Sequence, residues 1–438
     1  MSQSPASLPF IDALREASNL RLPGSGLAWL DAARRENLEA FIAAGLPDTR
    51  AEAWKYTALR ALGQRRFALG DADAATHPVD AHALTLPGMN GPRLVFVNGV
   101  FRANLSKLEG LPSGLTLQPL SKVLENDPEP LRFALSRHYR ETADVFARLN
   151  AALAGDGVVL RVAAGARIAK PIHVCFVGTP AQADVAWHVR NVIELGEGAE
   201  LDLVEHHLAT AQHKHLGTLV SEIVVRDGAK LQHTLLQNAG EESTLIRRGS
   251  VHLGAKSHAM LHVLELGGAL VRHDLHAELR GDDARFDTRG VFVLRGRQHV
   301  DTQLSINHQA LNTASESIWR GVADERSRGV FRGAIVVAQG ADGSDASLSN
   351  KNLLLSPLAE IDTKPELEIY ADEVKAAHGA TVGQLDERAL FYLRSRGLPQ
   401  AEARALLTAA FCRAVFTALP NDTLRDHFSD ALLAHLPS

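Results

Sequence analysis

From about Gly155 onward, short runs of Val, Leu and Ile alternate with polar residues at the period of two expected of strands with one covered face. The text runs GVVLRVAAGARIAKPIHVCFVG, then HVRNVIELGEGAELDLVEHHL, then LVSEIVVRDGAKLQHTLLQ. Small turns punctuate it: GAR at Gly165, GAE at Gly198, GAK at Gly228 and again at Gly254, with DDAR following at Asp282. Their spacing, roughly 30 residues, is too loose for a strict repeat consensus but persists with almost no helical signal. A large β-sandwich would suit this pattern, and so would a β-helix whose coils cover one another's apolar edges. Continuous strand–turn–strand sequence without long crossovers favours the β-helix.

The two ends read differently. In GSGLAWLDAARRENLEAFIAAGLP, Leu27, Leu30, Leu38 and Phe41 recur at helical spacing, and Gly45 with Pro47 supplies a stop. The segment AEAWKYTALRAL follows, and LVFVNGVF predicts a β-hairpin turning at Asn98-Gly99. A short strand in LEGLPSGLTL and helices between Ser121 and Leu149 complete a mixed region. At the other end, Asp386 and Glu387 open a helix containing Leu390, Tyr392 and Leu393, with Gly397 placed to end it. A second helix is expected to carry Leu406, Ala410 and Phe411 on one side, and a third has Leu424, Phe428, Leu432 and Leu436 at intervals of four. Helices this short must dock on the β region, on another chain, or on both. The expected division is therefore an N-terminal helical and mixed domain over 1–154, a β core over 155–385 and a C-terminal helical domain over 386–438.

Composition narrows the function classes. A chain of 438 residues with 45% hydrophobic and 22% charged residues fits a soluble protein of two or three domains. A net charge of −5 offers no general attraction to nucleic acid or anionic membranes. The opening MSQSPASLPFIDALREASNL lacks the pattern of a secretory leader, and no apolar run approaches the ~20 residues of a membrane span. Cytoplasm is the expected compartment. Cys175 and Cys412 alone build neither a disulfide framework nor a four-cysteine metal site, and both read as packed small hydrophobes. No P-loop, dinucleotide fingerprint, G-x-S-x-G or H-E-x-x-H motif occurs. Histidine is abundant at 20 residues, including the pair His213/His215, the pair His273 and His276 around Asp274, and the dense EHHLATAQHKH from Glu205 to His215. A pair at i, i+2 on a strand shares a face and can hold a metal, but zinc chemistry needs three converging ligands. The cluster from Glu205 to His215 is expected to be a solvated edge or loop.

The segment from Asn350 to Leu398 contains NLLL, KPELEIYADEVK, HGATVG and FYLRSRGL in close order, and AEAWKYT and LVFVNG stand upstream. These motifs resemble the SufB/SufD family of iron–sulfur cluster assembly proteins over nearly the whole chain, with KPELEIYADEVK and FYLRSRG pointing to its SufD branch. The resemblance implies a mainly β fold: a right-handed parallel β-helix core flanked by N-terminal α/mixed and C-terminal α-helical domains. It implies a non-enzymatic scaffold subunit of the SUF complex, pairing with a SufB homologue through the β-helix and docking the SufC ATPase through the C-terminal helices. The nucleotide chemistry would then reside on the partner. Family members often read V-K-C-S-H-G-A-T before the helical domain, where the cysteine and histidine handle iron and the nascent cluster. Here His378 matches, while the cysteine position is Ala376, which ligates nothing. His378 is thus the candidate iron or nascent-cluster ligand at the SufB interface; its alternative role is to fix the strand-to-helix junction by hydrogen bonding. No tightly bound cofactor is expected on this chain itself, and iron, a nascent cluster or flavin would belong to the complex. In isolation the chain is expected to form a homodimer.

Two other readings share parts of this sequence. A SufB-type cluster scaffold would need reactive cysteines to accept sulfur. A β-helix carbohydrate-active enzyme would need converging carboxylates, for which Asp282, Asp283 and Arg285 are the nearest candidates, although a polar turn explains them as well.

Overall fold

The computed structural model describes residues 8–16 and 20–436; residues 1–7, on which part of the leader reading rests, lie outside the described residues. The alternating segments form a parallel β-solenoid of two facing ten-stranded sheets. From Val158 onward the chain passes from one sheet to the other at each turn, so successive strands of each sheet pair in parallel with the strand two further along, while Leu115–Pro119 adds antiparallel at one end of the first sheet. The first sheet ends with Arg328–Val337 and Glu360–Ile369, and the second with Asp345–Leu354 and Lys375–Gly383. This parallel ladder settles solenoid against sandwich. Between the sheets lies a continuous apolar core that includes Leu203, Leu219, Leu261, Phe286, Phe331 and Leu348.

The turn pattern has a physical basis sharper than its sequence consensus. Gly165, Gly198 and Gly228 adopt left-handed φ of 70°, 64° and 67°, each followed by a small residue and then a second-sheet strand. In the later coils the same slot holds Lys256 (φ 55°), Asp283 (φ 60°), Asn312 (φ 55°) and Gly343 (φ 76°). The next residues, Ala199, Ala229, Ser257, Ala284, Thr313 and Ser344, are buried. A tight corner needs a residue tolerant of positive φ and then a side chain small enough to tuck under the coil. The GAK at Gly254 is therefore out of phase: its turn takes the left-handed residue from Lys256. Asp282 lies in the equivalent polar turn, where its carboxylate accepts from the Leu311 amide at 3.0 Å. Arg285 pairs with Asp287, so these residues serve the corner rather than a converging carboxylate site.

The N-terminal segment grips the outer face of the first sheet. Its helix Ala28–Ala44 ends at Gly45 as expected, and the hairpin Arg93–Val97/Val100–Phe101 turns on Asn98 (φ 45°) and Gly99 (φ 81°). Strands Arg93–Val97 and Leu115–Pro119 join the second and first sheets respectively. AEAWKYT is the plug: the Arg272 guanidinium lies 3.9 Å from the centroid of the buried Trp54 ring and pairs with Asp274 and Asp301. The Thr57 hydroxyl donates to Asp301 at 2.5 Å.

The C-terminal helices, Glu387–Ser395, Gln400–Arg413 and Asp422–His435, reach the outer face of the second sheet. Asp386 caps the first by accepting from the Arg388 amide, and Asn421 caps the third by accepting from the Leu424 amide. Leu424, Phe428, Leu432 and Leu436 are buried as their spacing predicts, against Val204, Leu236, Leu264 and Val291 of the sheet. The middle helix is rotated from expectation. Ala403, Ala409 and Cys412 are its buried row, while Leu406 is 48% exposed, because the small residues permit closer approach to the sheet.

Candidate functional site

His378 lies on Lys375–Gly383, the last strand of the second sheet. It stands in register with Leu348, which continues through Ser317, Thr288, Leu261 and His233 down the inward-facing row of the solenoid. Each of those side chains is covered by the coil beyond it. At His378 the stack stops, and the histidine is exposed. Its ring makes no hydrogen bond among the described residues, so it does not fix the strand-to-helix junction. Ala376 and Ala380 flank it on the same face and add no ligand atom.

The family-like motifs around it hold this last coil in place. Asn352 of NLLL donates to the Thr381 carbonyl at 3.0 Å and to the Asn350 side-chain oxygen at 2.6 Å, while Thr363 of the other sheet donates to that same oxygen at 2.8 Å. In KPELEIYADEVK, Lys364 pairs with Glu366 and reaches Glu52 of the N-terminal segment. Pro365 sits in the outermost strand of the first sheet, where an edge tolerates a residue without an amide hydrogen. Large apolar side chains collect around this end: Tyr370 and Leu358 are each 62% exposed, and Phe391, on the adjoining helix, is 73% exposed.

The histidine-rich stretch is not a solvated edge. Glu205, His206, His207, His213 and His215 are all buried. Parity on the strand Glu200–Ala209 sends Glu205 and His207 inward and His206 outward. Inside, His207 Nε2 lies 2.5 Å from Glu205 and His233 Nε2 lies 3.4 Å from it; Arg247 pairs with Glu265 across the core. Burial alone would raise the Glu205 carboxyl, but the hydrogen bond from His207 and the nearby His233 imidazole hold it well below the usual carboxylate range. Burial keeps His207 and His273 neutral. Glu205, His233, Arg247 and His273 help line an internal cavity of about 30 Å³, enough for a water molecule. The sequence signal was the rare Glu-His pairing at inward parity, which spacing alone does not separate from a polar loop. His213 and His215 stack at 4.5 Å between centroids, and no third ligand joins them among the described residues; His273 and His276 fall on opposite faces of their strand.

Neither thiol is activated. Burial pushes both Cys175 and Cys412 up to about 12, and Cys412 packs among the C-terminal apolar side chains as expected of a small hydrophobe. Cys175 has closer company than its sequence suggests: His173 Nε2 lies 3.2 Å from its sulfur. No helix among the described residues is long and apolar enough to cross a membrane.

Comparison with known proteins agrees with this arrangement. Residues 176–411 match the SufBD core domain of the SUF system for FeS cluster assembly, and residues 10–174 match the SufBD protein N-terminal region. The chain is 32% identical to the iron–sulfur cluster assembly protein SufD of Escherichia coli over 406 residues, 92% of each chain. An iron–sulfur cluster assembly SufBD family protein of Synechocystis is 31% identical over 87% of this chain and 85% of its own. SufD of Bacillus subtilis is 28% identical over 62% of each. A solenoid with both helical flanks, matched along nearly its whole length, places this chain in the SufBD family of the SUF iron–sulfur cluster assembly system, on its SufD-like side.

Proposed function

We propose that this chain is a non-enzymatic scaffold subunit that pairs with a SufB homologue at the open end of its solenoid and presents His378 to the iron or nascent cluster handled there. The observation carrying this reading is the character of the two terminal edges. The first-sheet edge is blunted by Pro365 and by Lys364, Glu366 and Glu368, devices that discourage strand addition. The second-sheet edge, Lys375–Gly383, has neither proline nor charge after Lys375 and is exposed along most of its length. A strand from a partner can extend this sheet, and doing so would enclose His378. Neutral imidazole is an apt iron ligand, and the remaining donors would come from the partner. The buried, protonated thiols of Cys175 and Cys412 do not suit a sulfur-accepting SufB-type role. The 386–438 region, with Phe391, Tyr392 and Leu406 exposed beside buried neighbours, is the surface proposed to dock the SufC ATPase.

The test is co-purification with SufB and SufC homologues, followed by iron and cluster quantification. His378→Ala is expected to leave the complex intact and to lower iron and cluster content several-fold. Failure of this chain to bind either homologue at micromolar concentration sinks the assignment; full iron and cluster content in His378→Ala removes the histidine from it.

A further inference from the structure

A second donor set lies far along the solenoid from His378, on the outer face of the second sheet. His173 and Cys175 occupy alternate positions of the strand Ile172–Gly178, and His206 on the neighbouring strand is the register partner of Cys175. One ligand atom from each, two imidazole nitrogens and one sulfur, falls within 4.8 Å of the others. All three residues are buried, at 3%, 0% and 6% exposure for His173, Cys175 and His206. The imidazoles stack at 5.8 Å between centroids with only 14° between their planes. Apolar side chains including Leu84, Val95, Val97 and Leu208 surround the sulfur, so bulk water does not solvate the site.

The set contains an unmet valence. His206 leaves its Nδ1 without a hydrogen-bond partner in the interior, which is unfavourable for a buried polar atom. The same imidazole sits over Cys175 in register and stacks on His173. A cation takes the lone pairs that no hydrogen-bond donor reaches.

We propose that His173, Cys175 and His206 form a buried binding site for a single first-row divalent cation of borderline softness, zinc or ferrous iron. Two imidazoles with one thiolate suit this class, whereas magnesium and calcium require oxygen. Ligand atoms around tetrahedral zinc stand roughly 3.3–3.8 Å apart, as follows from bonds of about 2.0–2.3 Å. The Cys175 sulfur and His173 Nε2, 3.2 Å apart, lie close to that range, and all three ligand atoms fall within 4.8 Å of one another. On binding, the Cys175 S–H proton leaves to solvent and the sulfur donates to the metal; both imidazoles are held neutral by burial and lose no proton. Arg93, the register partner of His173, favours the thiolate electrostatically. Three protein ligands leave a fourth position. His427, on the C-terminal helix, electrostatically disfavours protonation of His206. The site ties two strands of the solenoid to the layers covering them and is independent of the reading given for His378.

Anaerobic titration of the full chain with Co²⁺ tests this, since cobalt bound by a thiolate shows an intense sulfur-to-metal charge-transfer absorption. One equivalent is expected to bind with that absorption, and Zn²⁺ or Fe²⁺ to compete it away. Metal analysis of protein purified without chelator then identifies which of the two is native. Cys412→Ala, which leaves Cys175 as the sole thiol, is expected to retain the band. Cys175→Ala abolishes it, and His206→Gln weakens binding at least as much as the roughly 10- to 100-fold loss typical of groups one step removed from a metal. Should Cys175→Ala fail to fold, the band in Cys412→Ala still assigns the ligand. Folded protein that takes up cobalt without charge transfer, or a band indifferent to His206→Gln and His173→Gln, overturns the site.

Discussion

At the residue scale the unusual feature is how many histidines are buried and held uncharged. Burial takes His188 and His276 down to about 3, and His262 and His308 to about 4, with Arg248 adding to the effect on His276 and Arg289 to that on His262. Each is neutral in the folded chain but binds a proton once unfolded below about pH 6.5. Below that pH the unfolded state holds more protons, so stability falls as pH drops and each such histidine adds about 1.4 kcal/mol per pH unit to the loss. The contribution is complete above pH 6.5 and disappears progressively toward pH 4 to 3. Urea unfolding is therefore expected to show a markedly lower midpoint at pH 5 than at pH 7.5; equal midpoints would contradict the buried neutral state. The sequence displayed the histidine count but not this condition. Exposure depends on which side of a strand the Glu205–His207 run presents and on what lies beyond it.

At the scale of elements, strand period, hairpin turn and helix stops were all legible, because each follows from chemistry within a few neighbouring residues. The solenoid corners were legible where glycine or the polar DDAR marked them, except at Gly254, whose turn puts Lys256 at the corner. Lys256 occupies the left-handed corner position that Gly198 and Gly228 occupy in earlier coils. An L-residue there costs roughly 1–2 kcal/mol, offset partly by the greater unfolded-state freedom of glycine. Lys256→Gly is accordingly expected to raise stability by about 0.5–1 kcal/mol in urea titration, and a loss of stability would show that the corner is not strained. The middle C-terminal helix illustrates the opposite limit. Its apolar residues surround much of the cylinder, so the face read from periodicity, with Leu406, Ala410 and Phe411, was the wrong one. The sheet chose the Ala403, Ala409 and Cys412 row, and Leu406 was turned outward.

For the whole molecule, the decisive feature is that a solenoid has ends. The first coils are covered by the N-terminal segment, but Lys375–Gly383 closes the described sheet with nothing laid over its outer edge. Such an edge is a template for pairing, and in the absence of a partner a second copy is the available one. The isolated chain is expected to sediment as a homodimer, and Val382→Lys, which sets a charge on that edge, to shift it toward monomer and to weaken capture of a SufB homologue. A Val382→Lys chain that remains dimeric and binds as before would move both interfaces elsewhere.

Local sequence by itself determined the β period, the helical flanks, the caps and, through motifs concentrated between Asn350 and Leu398, the family. These depend on neighbours along the chain or on a short ordered signature. Tertiary structure alone decided which histidines are buried, that His206 meets Cys175, and that His378 ends an inward row instead of bracing a junction. Those facts arise from register between strands separated by about 30 residues, where a one-residue slip would exchange the two faces of every strand.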